Sequence, residues 1–160
     1  LKDAKAAFLL NRCQMMTASG LTLNGIIKDL PTANAKILPQ QIALHPVYAF
    51  VQRDNAELRL ALKWIFNALF LAEQYGINGQ NLEFYTANDN PEIRNLLGDD
   101  EQMWTDLKVK PQWLKEAVAL FGNYKDIYDK NLGRDSDYNL ERGLGKLVKD
   151  GGTIYPVPFM

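Results

Sequence analysis

The stretch NAELRLALKWIFNALFLAEQYG, residues 55–76, decides the fold. Asp54 or Asn55 supplies an N-cap and Gly76 a stop, so the spacing predicts one long helix from Asn55 to about Tyr75. Arg59, Lys63 and Asn67 fall on a single i, i+4 stripe, while nearly every other position is apolar. A helix with so narrow a wet face has to be covered on several sides, which makes it the central core helix. Its richest part, Ala61 to Ala72, is interrupted by Lys63 and Asn67. That part is also shorter than the ~18–20 apolar residues that span a bilayer.

Downstream the pattern is one of short helices. Pro91 suits a first helical turn leading Ile93, Leu96 and Leu97 to Gly98. Pro111 opens another, with Trp113, Leu114, Ala117, Val118 and Phe121 on one face and Gly122 closing it. Tyr124, Ile127, Tyr128 and Leu132 repeat the spacing up to Gly133, and Leu140, Leu144, Leu147 and Val148 do so again before Gly151. The tail from Thr153 to Met160 holds two prolines and is expected to be extended.

Upstream, a helix is expected over Leu1–Asn11 and a short strand over Arg12–Thr17. Ser19 can cap a second helix over Leu21–Leu30, and Pro31 begins a turn. Ala35–Leu38 and Ile42–Gln52 read as extended, the second enriched in β-branched and aromatic residues at Val47, Tyr48, Phe50 and Val51. Pro39 and Pro46 limit how central such strands can be.

Composition narrows the function classes. The chain has 160 residues, one domain or two small ones by length. Lys plus Arg number 18 against 19 Asp plus Glu, which removes the basic footprint of a nucleic-acid or polybasic membrane binder. One cysteine, Cys13, and one histidine, His45, do not make a structural zinc site, and an intrachain disulfide is impossible. No cofactor is expected.

Motifs for chemistry are sparse. Gly143, Gly145 and Lys146 invite a phosphate-loop reading, but Leu147 stands where Ser or Thr would hold magnesium and the first glycine is wrongly spaced. His45 has no serine-elbow or cysteine partner signature beside it. Asp99-Asp100 and Asp135/Asp137 lie in loop-like segments and read as solvated, while Trp104, Trp113, Tyr124 and Tyr128 sit at helical spacing and read as core. The sharper candidate is the strand-to-helix junction at Met16, Thr17, Ala18 and Ser19, the place where α/β folds put ligands. Hydroxyls and backbone N–H groups there suit a small polar ligand. The alternative is that Ser19 simply caps its helix.

Several long segments carry a resemblance: KWIFNALFLAEQYGI (63–77), NPEIRNLLG (90–98), GNYKDIYDKNLG (122–133) and LERGLGKLVKDGGTIYPVPF (140–159), with NRCQMMTASGL (11–21) as a weaker copy of a G-R-C-D-A-(Y/F)-T-T-D segment. In these the chain resembles the solute-binding proteins of general L-amino-acid ABC uptake systems, of the type II periplasmic binding protein family. The resemblance implies an α/β, two-lobed fold represented by its C-terminal portion, with a helical C-terminal extension. Residues 1–38 would be a remnant of the second lobe, and 39–90 the return to the first lobe with its long core helix. Residues 91–160 would be the extension packed on that lobe. It further implies periplasmic capture of an amino acid or related small molecule and delivery to an ABC transporter permease, without catalysis. Hinge strands would close the cleft, one passing through Ala35–Gln41, and the signal peptide and a partner for Cys13 would precede Leu1.

The ligand-binding residues implied are Met16, Thr17 and Ser19. One departure matters. The family's aspartate at the end of its T-T-D segment pairs with the ligand's α-ammonium, and that position falls here on Ser19, or on Ala18 with another gap. Gln14 replaces the other aspartate and Asn11 the glycine, and no Asp or Glu occurs between Asp3 and Asp29. A serine accepts a hydrogen bond but brings no charge, a loss of about 2–5 kcal/mol by analogy with buried interfacial pairs. The alternative function is a divergent or truncated relative that binds no solute and acts as an interaction module.

Overall fold

The computed structural model describes residues 2–28, 30, 35–40, 42–43 and 47–159. The chain divides into two compact units, residues 1–49 and 50–160.

In the first unit, α1 covers Lys2–Leu9 and α2 covers Gly20–Lys28. Helix α1 ends where Asn11 takes a positive φ of 53°, a conformation asparagine tolerates. The Arg12 amide then reaches back to the Ala7 carbonyl at 2.8 Å. Helix α2 buries Ile26 and half-buries Leu23 and Ile27, as its apolar spacing predicts. The expected strand over Arg12–Thr17 is absent: these residues are irregular, as are the described parts of Ala35–Leu38 and Ile42–Gln52. A strand needs a ladder partner for its N–H and C=O groups, and no described segment of the chain provides one. Ile42, Val47, Tyr48 and Phe50 consequently stand largely exposed. His45 and the Pro31–Asn34 turn lie outside the described residues.

The second unit begins with α3, Ala56–Gln74. Asn55 Oδ1 accepts the Leu58 amide at 3.0 Å, so Asn55 and not Asp54 is the cap. At the far end Gly76, with φ 69°, lets the Ile77 amide bond the Ala72 carbonyl at 2.8 Å. Ile77 then drops fully buried into the core, the hydrophobic closure of a Schellman cap. After it come α4 (Leu82–Tyr85), α5 (Pro91–Leu96), α6 (Glu101–Asp106), α7 (Trp113–Phe121) and α8 (Tyr124–Asn131). Helices α5 and α8 pack on α3, and α4 on α7. Asn123 caps α8 in a capping box with Asp126 and ties the same junction to α3 through its amide bond to the Ile77 carbonyl, 2.9 Å.

The core gathers Leu71, Ile77, Leu96, Leu97, Trp104, Leu114 and Val118, closed by Phe159 from the tail. Trp104 is fully buried between Trp113 (ring centroids 5.6 Å) and Phe159 (5.2 Å), and its indole N–H donates to the Asn95 carbonyl at 3.2 Å. It is core, as its spacing indicates.

Two expectations for this unit need correction. The 140–148 segment is not an α-helix but two 3-10 turns, Gly143–Gly145 and Val148–Asp150. Glycines at 143, 145 and 151 remove the propensity an α-helix would need. The turn also brings chain against chain: a Cβ on Gly152 would sit 2.0 Å from the Lys146 carbonyl oxygen. The other correction concerns α3. Only Ala68, Leu71, Ala72 and Glu73, in its C-terminal half, are buried, while Leu58, Leu60 and Phe66 keep 41–48% of their surface exposed. Asn67 does not sit on a purely wet stripe, because its amide brackets Val157, donating to its carbonyl and accepting its N–H, both at 2.8 Å. Pro156 and Pro158 carry no N–H, so Asn67 takes the amide that the tail offers there.

The α/β expectation is therefore met only on its helical side. Among the described residues the β component is a single parallel bridge, Leu147 with Ile154.

Candidate functional site

The sequence-predicted ligand residues lie just ahead of α2. Met16 is half-buried, and Thr17 and Ser19 are exposed. Ser19 does cap the helix: its Oγ accepts the Thr22 amide at 3.2 Å and shares a hydrogen bond with Thr22 Oγ1 at 2.8 Å. Its carbonyl takes the Leu23 amide at 2.9 Å. When the Ser19 hydroxyl donates to Thr22 Oγ1, its oxygen keeps one lone pair and stands beside the remaining first-turn amides. Capping and ligand contact are thus compatible roles.

The other concentration of polar groups lies in the second unit and was not singled out in the sequence. Arg142 and Glu73 form an ion pair at 2.6 Å with side chains only 6% and 5% exposed. The guanidinium also donates from Nε and Nη2 to the Gly145 carbonyl, at 3.1 and 2.8 Å. It lies over the rings of Tyr124 and Tyr128, 5.2 and 5.7 Å from their centroids. The pair lines a cleft of about 660 Å³ with the α8 side chains Lys125 and Asp129 and the 139–150 segment. Its one sequence signal is Glu73 itself, an acid at the buried end of an apolar helix. Gly143, Gly145 and Lys146 serve here as the turn that positions Arg142, not as a phosphate loop.

A second, partly buried contact joins the C-cap of α3 to α5. The Tyr75 hydroxyl donates to Glu92 Oε2, and the Tyr85 hydroxyl donates to the Tyr75 carbonyl at 3.1 Å. Desolvation, then the hydrogen bond to Glu92 and its charge, push the Tyr75 hydroxyl up to about 12. The folded value lies above the ordinary tyrosine value of about 10. The resulting stabilisation is complete below pH 10 and is lost as pH rises through 12. In a spectrophotometric titration Tyr75 should ionise near pH 12, with stability falling between pH 10 and 12. Tyr128 is also raised by burial, so Tyr75→Phe should lower the amplitude of the high-pH absorbance step by one tyrosine, and an unchanged amplitude in that variant would refute the assignment.

The remaining sequence candidates are structural. Asp100 caps α6 through the Met103 amide at 3.1 Å, and Asp99 pairs with Arg94 at 3.4 Å. Cys13 is half-buried with a free thiol. Among the described residues no group of three His, Cys, Asp or Glu is placed to hold a metal, and no helix is long and apolar enough to cross a membrane.

Comparison with known proteins supplies the family. No protein-family model matches the chain. It is 32% identical over 159 residues to the glutamate/glutamine/aspartate/asparagine-binding protein BztA of Rhodobacter capsulatus, covering 98% of this chain and 47% of that protein. It is 29% identical over 161 residues to the general L-amino acid-binding periplasmic protein AapJ of Rhizobium johnstonii, covering 99% and 47%. Among solved structures it matches an ABC transporter/periplasmic binding protein from Brucella ovis with glutathione bound, with a TM-score of 0.83 and 33% identity over 98% of this chain and 50% of that one. The chain spans about half the length of the curated relatives it matches. It belongs to the solute-binding proteins of amino-acid ABC transporters.

Proposed function

We propose that this chain is the C-terminal portion of an extracytoplasmic, two-lobed α/β solute-binding protein that captures an amino acid or related small polar molecule for an ABC permease. The carrying observation is the structural match at a TM-score of 0.83 over 98% of the chain. Two features of the molecule support it. The described residues of the strand candidates at 12–17, 35–38 and 42–52 have no ladder partner among the described residues and would complete sheets with segments from the other half of a relative's length. The exposed apolar face of α3, with Leu58 and Phe66, suits the first lobe's sheet. Cleft closure about a hinge through Ala35–Gln41 would be driven by contacts that a ligand makes in both lobes at once. Met16, Thr17 and Ser19 are the residues of this chain proposed to face it.

The relatives' names define the panel to screen: acidic amino acids and their amides from BztA, general L-amino acids from AapJ, and glutathione from the Brucella ovis protein. In a thermal-shift assay on the complete protein, at least one of these should raise the melting midpoint. A ligand at a hundred times its dissociation constant adds about 2.7 kcal/mol. That moves the midpoint by several degrees. A complete protein that no member of the panel stabilises would instead point to the interaction module.

A further inference from the structure

We infer that Asn78 is a site of self-modification: in the folded protein the Gly79 backbone nitrogen attacks its side-chain amide and leaves a carboxylate, as aspartate or isoaspartate. The sequence holds two Asn-Gly pairs, Asn24-Gly25 and Asn78-Gly79. In each, glycine offers the attacking nitrogen with no Cβ to shield it. The structure treats the two pairs differently.

At Asn78 nucleophile, carbonyl and leaving group are all favourably placed. Gly79 lies in an exposed turn, and its N–H donates to no acceptor among the described residues. Asn78 Oδ1 accepts the Gln80 amide at 2.9 Å and the Asn81 amide at 3.2 Å. Attack on Cγ puts negative charge on that oxygen, so donors already aimed at it stabilise the tetrahedral adduct. The departing Nδ2 group donates to nothing among the described residues. The glycine is one the fold demands, because a Cβ at position 79 would lie 3.2 Å from the carbonyl oxygens of both Val118 and Ala119. Packing against α7 thus keeps the labile pair in place.

The Gly79 nitrogen loses its proton to hydroxide and forms the N–Cγ bond. The adduct then breaks the Cγ–Nδ2 bond, and nitrogen leaves as ammonia with a proton from water. A second water opens the cyclic imide at either carbonyl. Opening to aspartate keeps the main chain and gives the two turn amides a charged acceptor, a stronger one than the amide it replaces. Opening to isoaspartate adds a backbone methylene directly after Ile77, which is fully buried and whose carbonyl holds the Asn123 amide at 2.9 Å.

Asn24 is the contrast. Gly25 lies inside α2, where its N–H belongs to the helical ladder, and Asn24 Nδ2 donates to the Gly20 carbonyl at 3.0 Å. Ring closure there has to break both bonds.

The test is incubation of the complete protein at mildly alkaline pH, folded and in guanidinium chloride. Peptide mapping by mass spectrometry then reads the amide-to-acid exchange at each site. The denatured rates, set by local sequence alone, are the reference. Folded, Asn78 should convert no more than about threefold slower than its reference and at least about tenfold faster than Asn24, since misaligned reacting groups lose rate by such factors or more. A larger slowing of Asn78 on folding, or a folded Asn24 that stays within tenfold of it, overturns the inference.

Discussion

Replacing Arg142 with alanine in the 160-residue chain should lower its unfolding free energy by about 3–5 kcal/mol, the cost of breaking a buried ion pair from one side. The Glu73 carboxylate sits at the end of α3 with 5% of its side chain exposed, so water cannot take over the lost partner. The same substitution removes both donors to the Gly145 carbonyl and the cation over Tyr124 and Tyr128. Those contacts anchor the 139–150 turns on α3 and α8. Arg142→Lys should recover only part of the loss, because an ammonium has no planar fork to meet Glu73 and Gly145 together. Replacing both partners with leucine should recover more than Arg142→Lys does, since removing both charges leaves none stranded. Urea denaturation of the three variants reads all of this. A loss below about 1 kcal/mol in Arg142→Ala would mean that the pair behaves as a solvated surface bridge.

How much of this was legible in the sequence follows from how local each determinant is. Caps and stops are decided within a few residues, so Asn55, Gly76, Pro91, Gly122 and Gly133 punctuate the helices where the pattern puts them. Strands are decided by partners. The β-branched run at 47–51 has the right composition, but no described ladder receives it. The apolar spacing of Leu140, Leu144, Leu147 and Val148 is helical, yet three glycines and the close approach of Gly152 to Lys146 decide otherwise. Short helices α4 and α6 escaped because four to six residues carry less than two turns of periodicity. The Glu73–Arg142 pair escaped for a different reason. Its members are 69 residues apart, and nothing local to either residue names the other. Ser19 was legible in both of its proposed roles, and the structure realises the capping one.

Ser19→Asp in the complete protein should tighten binding of an α-amino acid by at least tenfold, or about 1.4 kcal/mol. By the family resemblance, the aspartate that meets the ligand's ammonium would fall on Ser19, or on Ala18 with another gap, and a restored charged partner in a closed cleft contributes up to about 2–5 kcal/mol. The substitution is gentle on the fold. Aspartate is as good an N-cap as serine, and a negative charge at the start of α2 opposes no feature of its dipole. Its carboxylate can keep the Thr22 amide that Ser19 now accepts at 3.2 Å and still present a second oxygen. Calorimetric titration with L-glutamine and with its 2-hydroxy analogue separates the charge effect from any general change in the cleft. The amino acid should gain and the hydroxy acid, which has no ammonium, should not. Equal gains for both would assign the effect to cleft closure instead of to a charge pair. An unchanged affinity for the amino acid, in a variant with an unchanged melting midpoint, would place Ser19 outside the ligand crevice and leave it only the cap.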